Sequence, residues 1–372
     1  MPLSGKVRTY SLYFHVPFCT RKCDYCHFFV LPDQERFKEI YLAAIRREWD
    51  LRSPLLPPTS PVSIYFGGGT PALLNASSFQ EILSWISPSS DCEITLEANP
   101  ENVTLEKMRS FHACGINRIS LGVQALNDPL LTTLTRTHGA QRAIDAVEET
   151  ARTGFDNISI DLMYDLPGQT LNQWRSTLNC AIQLPICHLS LYNLTIEPHT
   201  AFYKRRTTLK QPAPDTSLAM LNEAVEILEQ AGLTRYEISA FARHNRTSVH
   251  NTGYWTGRPF LGFGPSAFSY WGGSRFRNVA HLNKYAKALE TGQDPADFHE
   301  TLPLDEQLKE HLAIGLRLLD GVPLQDWPDA IEKKLTHLIQ DGFLEKTATS
   351  LRLTPQGLLF HDTVAEEIMS SQ

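Results

Sequence analysis

Between residues 10 and 242 the chain alternates between two hydrophobic rhythms. Short runs rich in β-branched and aromatic residues predict strands: YSLYFHV (10–16), VSIYFGG (62–68), CEITLEA (92–98), RISLGVQ (118–124), NISIDLMY (157–164) and HLSLYNLTI (188–196). Longer stretches with apolar residues at helical spacing lie between or after them, such as QERFKEIYLAAIRREWDL, AQRAIDAVEETARTG and SLAMLNEAVEILEQAG. Gly115, Gly154 and Gly232 close three of these stretches, as glycine commonly does at a helix end. Six strand–helix units in succession predict a parallel sheet with right-handed crossovers. An open doubly wound sheet and an incomplete barrel both satisfy this pattern, and both gather functional groups at the carboxyl ends of the strands. The turn GGGT (67–70) favours neither, because it lacks the glycine spacing of dinucleotide folds and the lysine of phosphate loops.

The rhythm changes after residue 242. Residues 243–280 are rich in Gly, Arg, Asn and aromatics and read as loop. From residue 304, helical patterns and a hairpin-like pair, FLEKT and LRLT, predict a small, mainly helical module of winged-helix type. The expected divisions are therefore 1–242, a connecting segment 243–303, and 304–372.

Composition narrows the class. Of 372 residues, 42% are hydrophobic and 20% charged, which suits a folded chain and not a disordered one. The net charge of −7 argues against general adhesion to nucleic acid, and no nucleic-acid partner is expected. The first residues, MPLSGKVRTYSLYF, show no secretory leader, and no apolar run is long enough for a membrane span. Seven irregularly spaced cysteines argue against a secreted disulfide framework and for reduced thiols in a cytoplasm.

Three of those cysteines, Cys19, Cys23 and Cys26, fall within eight residues, directly after the first predicted strand. Such thiolates can hold a single metal, carry an iron–sulfur cluster, or do redox work. Zinc would need a fourth ligand from His15 or His27, and no second C-x2-C pair lies nearby. Three ligands on a four-iron cluster leave one iron open to a small molecule. Polar residues at strand ends add to the picture: Glu97, Gln124 and Asp161 interrupt strands that should be apolar in a parallel sheet. Any one of them, taken alone, is equally well a satisfied structural group.

The C-x3-C-x2-C spacing with Tyr25 before the last cysteine resembles the signature of the radical S-adenosylmethionine superfamily. Further segments, including YFGGGTPALL (65–74), NRISLGVQALND (117–128), SIDLMYDLPGQT (159–170) and FLGFGPSAFS (260–269), are similar to its branch of heme chaperones and oxygen-independent coproporphyrinogen III oxidases. The resemblance implies an incomplete (β/α)6 barrel of TIM type followed by the branch's C-terminal domain. It implies a 4Fe-4S cluster on Cys19, Cys23 and Cys26, whose open iron chelates S-adenosylmethionine. It also implies an S-adenosylmethionine site built from Tyr13, Tyr25, Gly68, Gly69, Thr70, Glu97, Gln124, Arg136, Asp161, Met163 and Thr195. Asp161 suits ribose hydroxyls, and the guanidinium of Arg136 suits a carboxylate.

Two features divide the branch. Phe28 stands where the oxidases carry a fourth cysteine. The run His250, Asn251, Tyr254, Trp255 matches the H-N-x-x-Y-W motif associated with heme binding in the chaperones. Histidine is a common heme ligand, and aromatics pack on porphyrin faces. The resemblance therefore points to a heme chaperone that passes heme to acceptor proteins. The oxidase activity, or another radical reaction on heme or porphyrins, is the alternative, and whether the chain is a catalyst stays open. Implied partners are a flavodoxin- or ferredoxin-like electron donor, heme acceptors at a membrane surface, and a second copy of the chain.

Overall fold

The computed structural model describes residues 9–370. The leader-free start expected above rests in part on residues 1–8, which lie outside the described residues, as do 371 and 372. Six parallel strands follow the predicted positions: β1 (Ser11–Val16), β2 (Ser63–Gly68), β3 (Glu93–Ala98), β4 (Arg118–Gln124), β5 (Ile158–Tyr164) and β6 (His188–Asn193). They stand side by side in chain order, with no reversal of direction in the order. That arrangement belongs to a barrel and not to a doubly wound sheet. The strands are buried along almost their whole length, as helices on the outside of a parallel sheet require. Phe14 on β1 stacks on Phe66 of β2 at 5.1 Å and on Phe263 at 5.0 Å, joining three neighbouring strands in one core.

The barrel does not close. Beyond β6 the sheet turns antiparallel through β8 (Ala240–Ala242) and β7 (Thr234–Glu237). On the other side, β9 (Phe260–Phe263) runs parallel to β1, and β10 (Phe268–Trp271), β11 (Ser274–Asn278) and β12 (Ala296–Thr301) follow as an antiparallel meander. The result is one twelve-stranded sheet.

This corrects the reading of residues 243–280 as loop and of 243–303 as a connection. The segment builds a third of the sheet. Its strands are short and its hairpin is tight: a Cβ on Gly262 would sit 2.0 Å from the carbonyl oxygen of Phe268. The glycine and polar content that suggests loop is therefore what close strand approach demands.

The same segment seals the amino-terminal end of the barrel. The helix Val249–Trp255 lies across the first residues of the strands. The backbone N–H groups of Val249 and His250 donate to the carboxylate of Glu93, at 3.0 and 2.9 Å, at the start of β3. Ser248 caps the helix through the N–H of Asn251. Arg258 Nη1 donates to Ser11 at the start of β1. Polar side chains at one barrel end thus satisfy a helix terminus that would otherwise be orphaned.

The C-terminal module has its own core, centred on Leu312, Leu335, Leu351 and Ile368. Helices Leu304–Gly315, Asp329–Gln340 and His361–Met369 pack on a small antiparallel sheet of Val322–Pro323, Ser350–Leu353 and Leu344–Lys346. It meets the large sheet at β7, where the N–H of Leu319 donates to Tyr236 O at 3.0 Å and Arg317 pairs with Glu237 at 3.3 Å. No helix among the described residues is long and apolar enough to cross a membrane.

Candidate cluster and cofactor site

At the carboxyl ends of the parallel strands opens a cavity of about 430 Å³. Cys19, Cys23 and Cys26 all border it. They ride on the loop that follows β1. That loop is held at both ends by backbone hydrogen bonds, from Leu31 N to Pro17 O at 2.6 Å and from Asp33 N to Cys19 O at 3.1 Å. A buried histidine braces its middle: His15 Nε2 donates to Phe29 O at 3.0 Å while the hydroxyl of Tyr13 meets Nδ1 at 3.0 Å. Burial pushes the His15 imidazole down to about 4, so it stays neutral and keeps this tautomer.

The glycine turn after β2 is stitched to the cysteine loop. Gly69 N donates to Val16 O at 2.9 Å, and Thr70 N donates to Phe18 O at 2.7 Å. A Cβ on Gly69 would lie 2.6 Å from Phe18 O and 2.8 Å from Pro17 C. Glycine here serves the approach of two backbones, and the turn borders the cavity as their joint product.

A polar belt runs around the thiols. Thr70 Oγ1 lies 3.6 Å from Cys19 Sγ and accepts from Asn99 Nδ2 at 2.9 Å. Asn99 Oδ1 accepts from Arg136 Nη2 at 2.6 Å, and Arg136 Nη1 reaches Cys23 Sγ at 3.7 Å. Two of the three cysteines are thereby linked through Thr70, Asn99 and Arg136. Asn99 was not among the expected site residues. It follows β3 directly, and position at a strand's carboxyl end is the signal that marks it. Arg136 Nε is buried with no hydrogen-bond partner among the described residues, and the arginine borders the cavity.

Opposite the belt stand carboxylates. Glu97 accepts from Tyr65 Oη at 2.7 Å and from Gly68 N at 3.1 Å. Burial pushes its carboxyl up to about 7, against those two hydrogen bonds. Asp161 is likewise pushed up, to about 6, by burial, with Ser190 and Ser120 bonding in the opposite sense. Both line the cavity, as do Gln124, Met163, Thr195 and Tyr25. Gln124 holds a left-handed backbone, φ 65°, at an irregularity where β4 leaves its register with β5. That conformation is uncommon outside glycine and marks the strand end at the cavity.

Tyr13 stands apart from these residues. It does not border the cavity; its ring stacks on Tyr65 at 6.2 Å and its hydroxyl serves His15. His250, the expected heme ligand, lies away from the cavity. Its ring is buried inside the barrel, with Nδ1 3.0 Å from Ser63 Oγ and Nε2 2.9 Å from Tyr254 Oη. Burial holds it neutral, down to about 3. With both nitrogens engaged, the ring presents no lone pair to a ligand. Tyr254, one helical turn on, is committed to the same bond, while Asn251 and Trp255 sit half-buried on that helix. None of the four borders the cavity.

The donor set fits an iron–sulfur cluster. All seven cysteines are free. Thiolates around a lone zinc share a centre at about 2.3 Å, whereas a cluster is itself broad and takes its thiolates at separate corners. The remaining cavity is walled by an arginine, two carboxyls and backbone turns, which suits a small zwitterion bearing hydroxyls.

A model described as the radical SAM superfamily matches residues 13–181, and one for the HemN C-terminal domain matches 302–360. The heme chaperone HemW of Bacillus subtilis is 33% identical over 370 residues, covering 95% of this chain and 97% of that protein. HemW of Lactococcus lactis is 32% identical, covering 96% and 97%. Among solved structures, coproporphyrinogen III oxidase (HemN) from Escherichia coli superposes with a TM-score of 0.85 at 23% identity, covering 98% of this chain and 91% of that one. At that identity the likeness speaks to the fold.

Proposed function

Because the chain belongs to the HemW family of the radical SAM superfamily, we propose that it is a heme chaperone, binding heme and a 4Fe-4S cluster and passing heme to acceptor proteins. The observation that carries this reading is the full-length similarity to heme chaperones in a chain whose three loop cysteines share one cavity. Cys19, Cys23 and Cys26 would hold the cluster. When bound, the cluster and S-adenosylmethionine supply one-electron reductive chemistry.

The chain's own residues bind and orient. Arg136 offers its guanidinium to a carboxylate, and Asp161 accepts from hydroxyls. Glu97, with its carboxyl near neutrality, accepts from an ammonium group and releases a proton in doing so. Met163 and Tyr25 supply apolar wall, and Thr70 steadies Cys19. The expected cytoplasmic location, delivery of heme near a membrane, a flavodoxin- or ferredoxin-like electron donor and homodimerisation belong to this proposal.

The test is a divided assay on anaerobically reconstituted protein. One half is titrated with heme and then mixed with a heme-free acceptor. The other receives coproporphyrinogen III, a reductant and S-adenosylmethionine. The expected result is heme binding and transfer without decarboxylation. Turnover of the porphyrinogen would replace this reading with the oxidase.

A further inference from the structure

If heme is the cargo, His250 is poorly placed to take it. Reaching its imidazole would require breaking the bonds to Ser63 and Tyr254 and opening the sealed end of the barrel. The opposite end carries a different set of groups. His27, next to the last cluster cysteine, is exposed and borders the cavity. Its ring makes no hydrogen bond among the described residues, and it lies 4.6 Å from the ring of Phe28, centre to centre. Phe28 is 52% exposed and Tyr192, at the end of β6, is 43% exposed; both border the same cavity. Large exposed aromatics at a cavity rim are surfaces waiting for an apolar partner. Arg21 and Lys22 stand at the same rim, exposed, and neither is in an ion pair among the described residues. Lys22 donates to Phe28 O at 3.0 Å, which fixes it beside that ring.

An accessible imidazole, two flat apolar rings and two free cations form the complement of one class of ligand: an iron porphyrin with an open axial position and two carboxylate side chains. Resting on the heme-chaperone reading, we propose that heme docks at the mouth of the cluster cavity, with His27 as axial ligand. Phe28 and Tyr192 pack on the macrocycle, and Arg21 and Lys22 meet its propionates. The barrel-sealing helix of His250 holds the scaffold and does not touch the cargo.

The experiment is a heme titration followed by the Soret band, with iron and sulfide measured on each sample to verify the cluster. The wild type is compared with His27→Ala, His250→Ala and the double variant Arg21→Ala, Lys22→Ala. His27→Ala is expected to bind heme at least tenfold more weakly, and added imidazole should restore the Soret position of the bound form. The double variant should lose several-fold affinity for heme but not for heme dimethyl ester, whose propionates carry no charge. His250→Ala, where circular dichroism shows it folded, should bind heme as the wild type does. Unchanged heme binding by His27→Ala, or its loss in a folded His250→Ala, overturns the assignment. A wild type that binds no heme overturns the chaperone reading itself, and this inference with it.

Discussion

Replacing Gly69 by alanine tests whether the cysteine loop and the glycine turn are one unit. The new methyl would meet three backbone atoms within 2.9 Å, Phe18 O, Pro17 C and Phe18 N, and none of them belongs to a side chain that can swing away. The loop must move instead. Moving it stretches the bonds from Gly69 N to Val16 O and from Thr70 N to Phe18 O. Overpacking a tight site costs about 1–3 kcal/mol, and each weakened backbone bond adds about 1 kcal/mol. A loss of about 3 kcal/mol is expected, a large part of a total stability of about 5–15 kcal/mol. Cys23→Ser is the reference, because it removes a proposed cluster ligand without adding bulk. Anaerobic reconstitution followed by iron and sulfide analysis should find both variants short of cluster. Urea unfolding of the cluster-free proteins should then place the midpoint of Gly69→Ala clearly below that of Cys23→Ser. Equal midpoints, or a full cluster in Gly69→Ala, would show that the two backbones are not coupled and refute the argument.

Three further outcomes follow from the same geometry. The Glu97 carboxyl is raised, so the stability tied to its neutral form is complete below the ordinary carboxyl range and is lost as pH rises through about 7; Glu97→Gln should flatten the fall in urea midpoint between pH 5 and pH 8, and an unchanged fall would place the titration elsewhere. The imidazoles of His15 and His250 are depressed, to about 4 and about 3, so the stability they protect is present above about 6.5 and lost as pH falls toward those values; His250→Phe should lessen the acid sensitivity seen by circular dichroism between pH 6.5 and pH 4, and identical acid profiles would contradict that. Asn99→Ala breaks the link between Thr70 and Arg136; it should leave the fold intact, weaken S-adenosylmethionine binding about tenfold by calorimetry and alter the electron paramagnetic resonance of the reduced cluster, whereas wild-type affinity and spectrum would leave the belt without a role.

The six barrel strands were legible because parallel strands covered on both faces must be nearly continuous apolar runs, and these are. The cysteine trio stood out because three thiols rarely crowd into eight residues, and the fold brings all three to one cavity. Residues 260–278 were not, since FLGF and FSYW are too short to show a period and Gly262 looks like a breaker until its partner strand is known. Asn99 escaped because its role depends on Arg136 and Thr70, which reach it from other strand ends. The place of His250 was hidden for a related reason. A motif names residue types, but only the fold says which end of the barrel they face. Tyr13 alternates with apolar neighbours along β1, and no pattern reveals that its hydroxyl is spent on His15.

The pairing of β1 with both β2 and β9 has a consequence for biogenesis. The strand that carries the cysteine loop is made well before residues 260–263, which cover one of its edges. Until then β1 is an exposed sheet edge, with three thiols on the loop that follows it, and such edges invite wrong pairing. Late closure of a long-range contact is slow compared with local helix formation. The nascent chain therefore passes through an interval in which the three thiols are present and the strand that completes their sheet is not. Shelter for the cysteine loop is thus tied to the synthesis of residues 260–263, and a chain stalled before them leaves three thiols beside an unfinished edge.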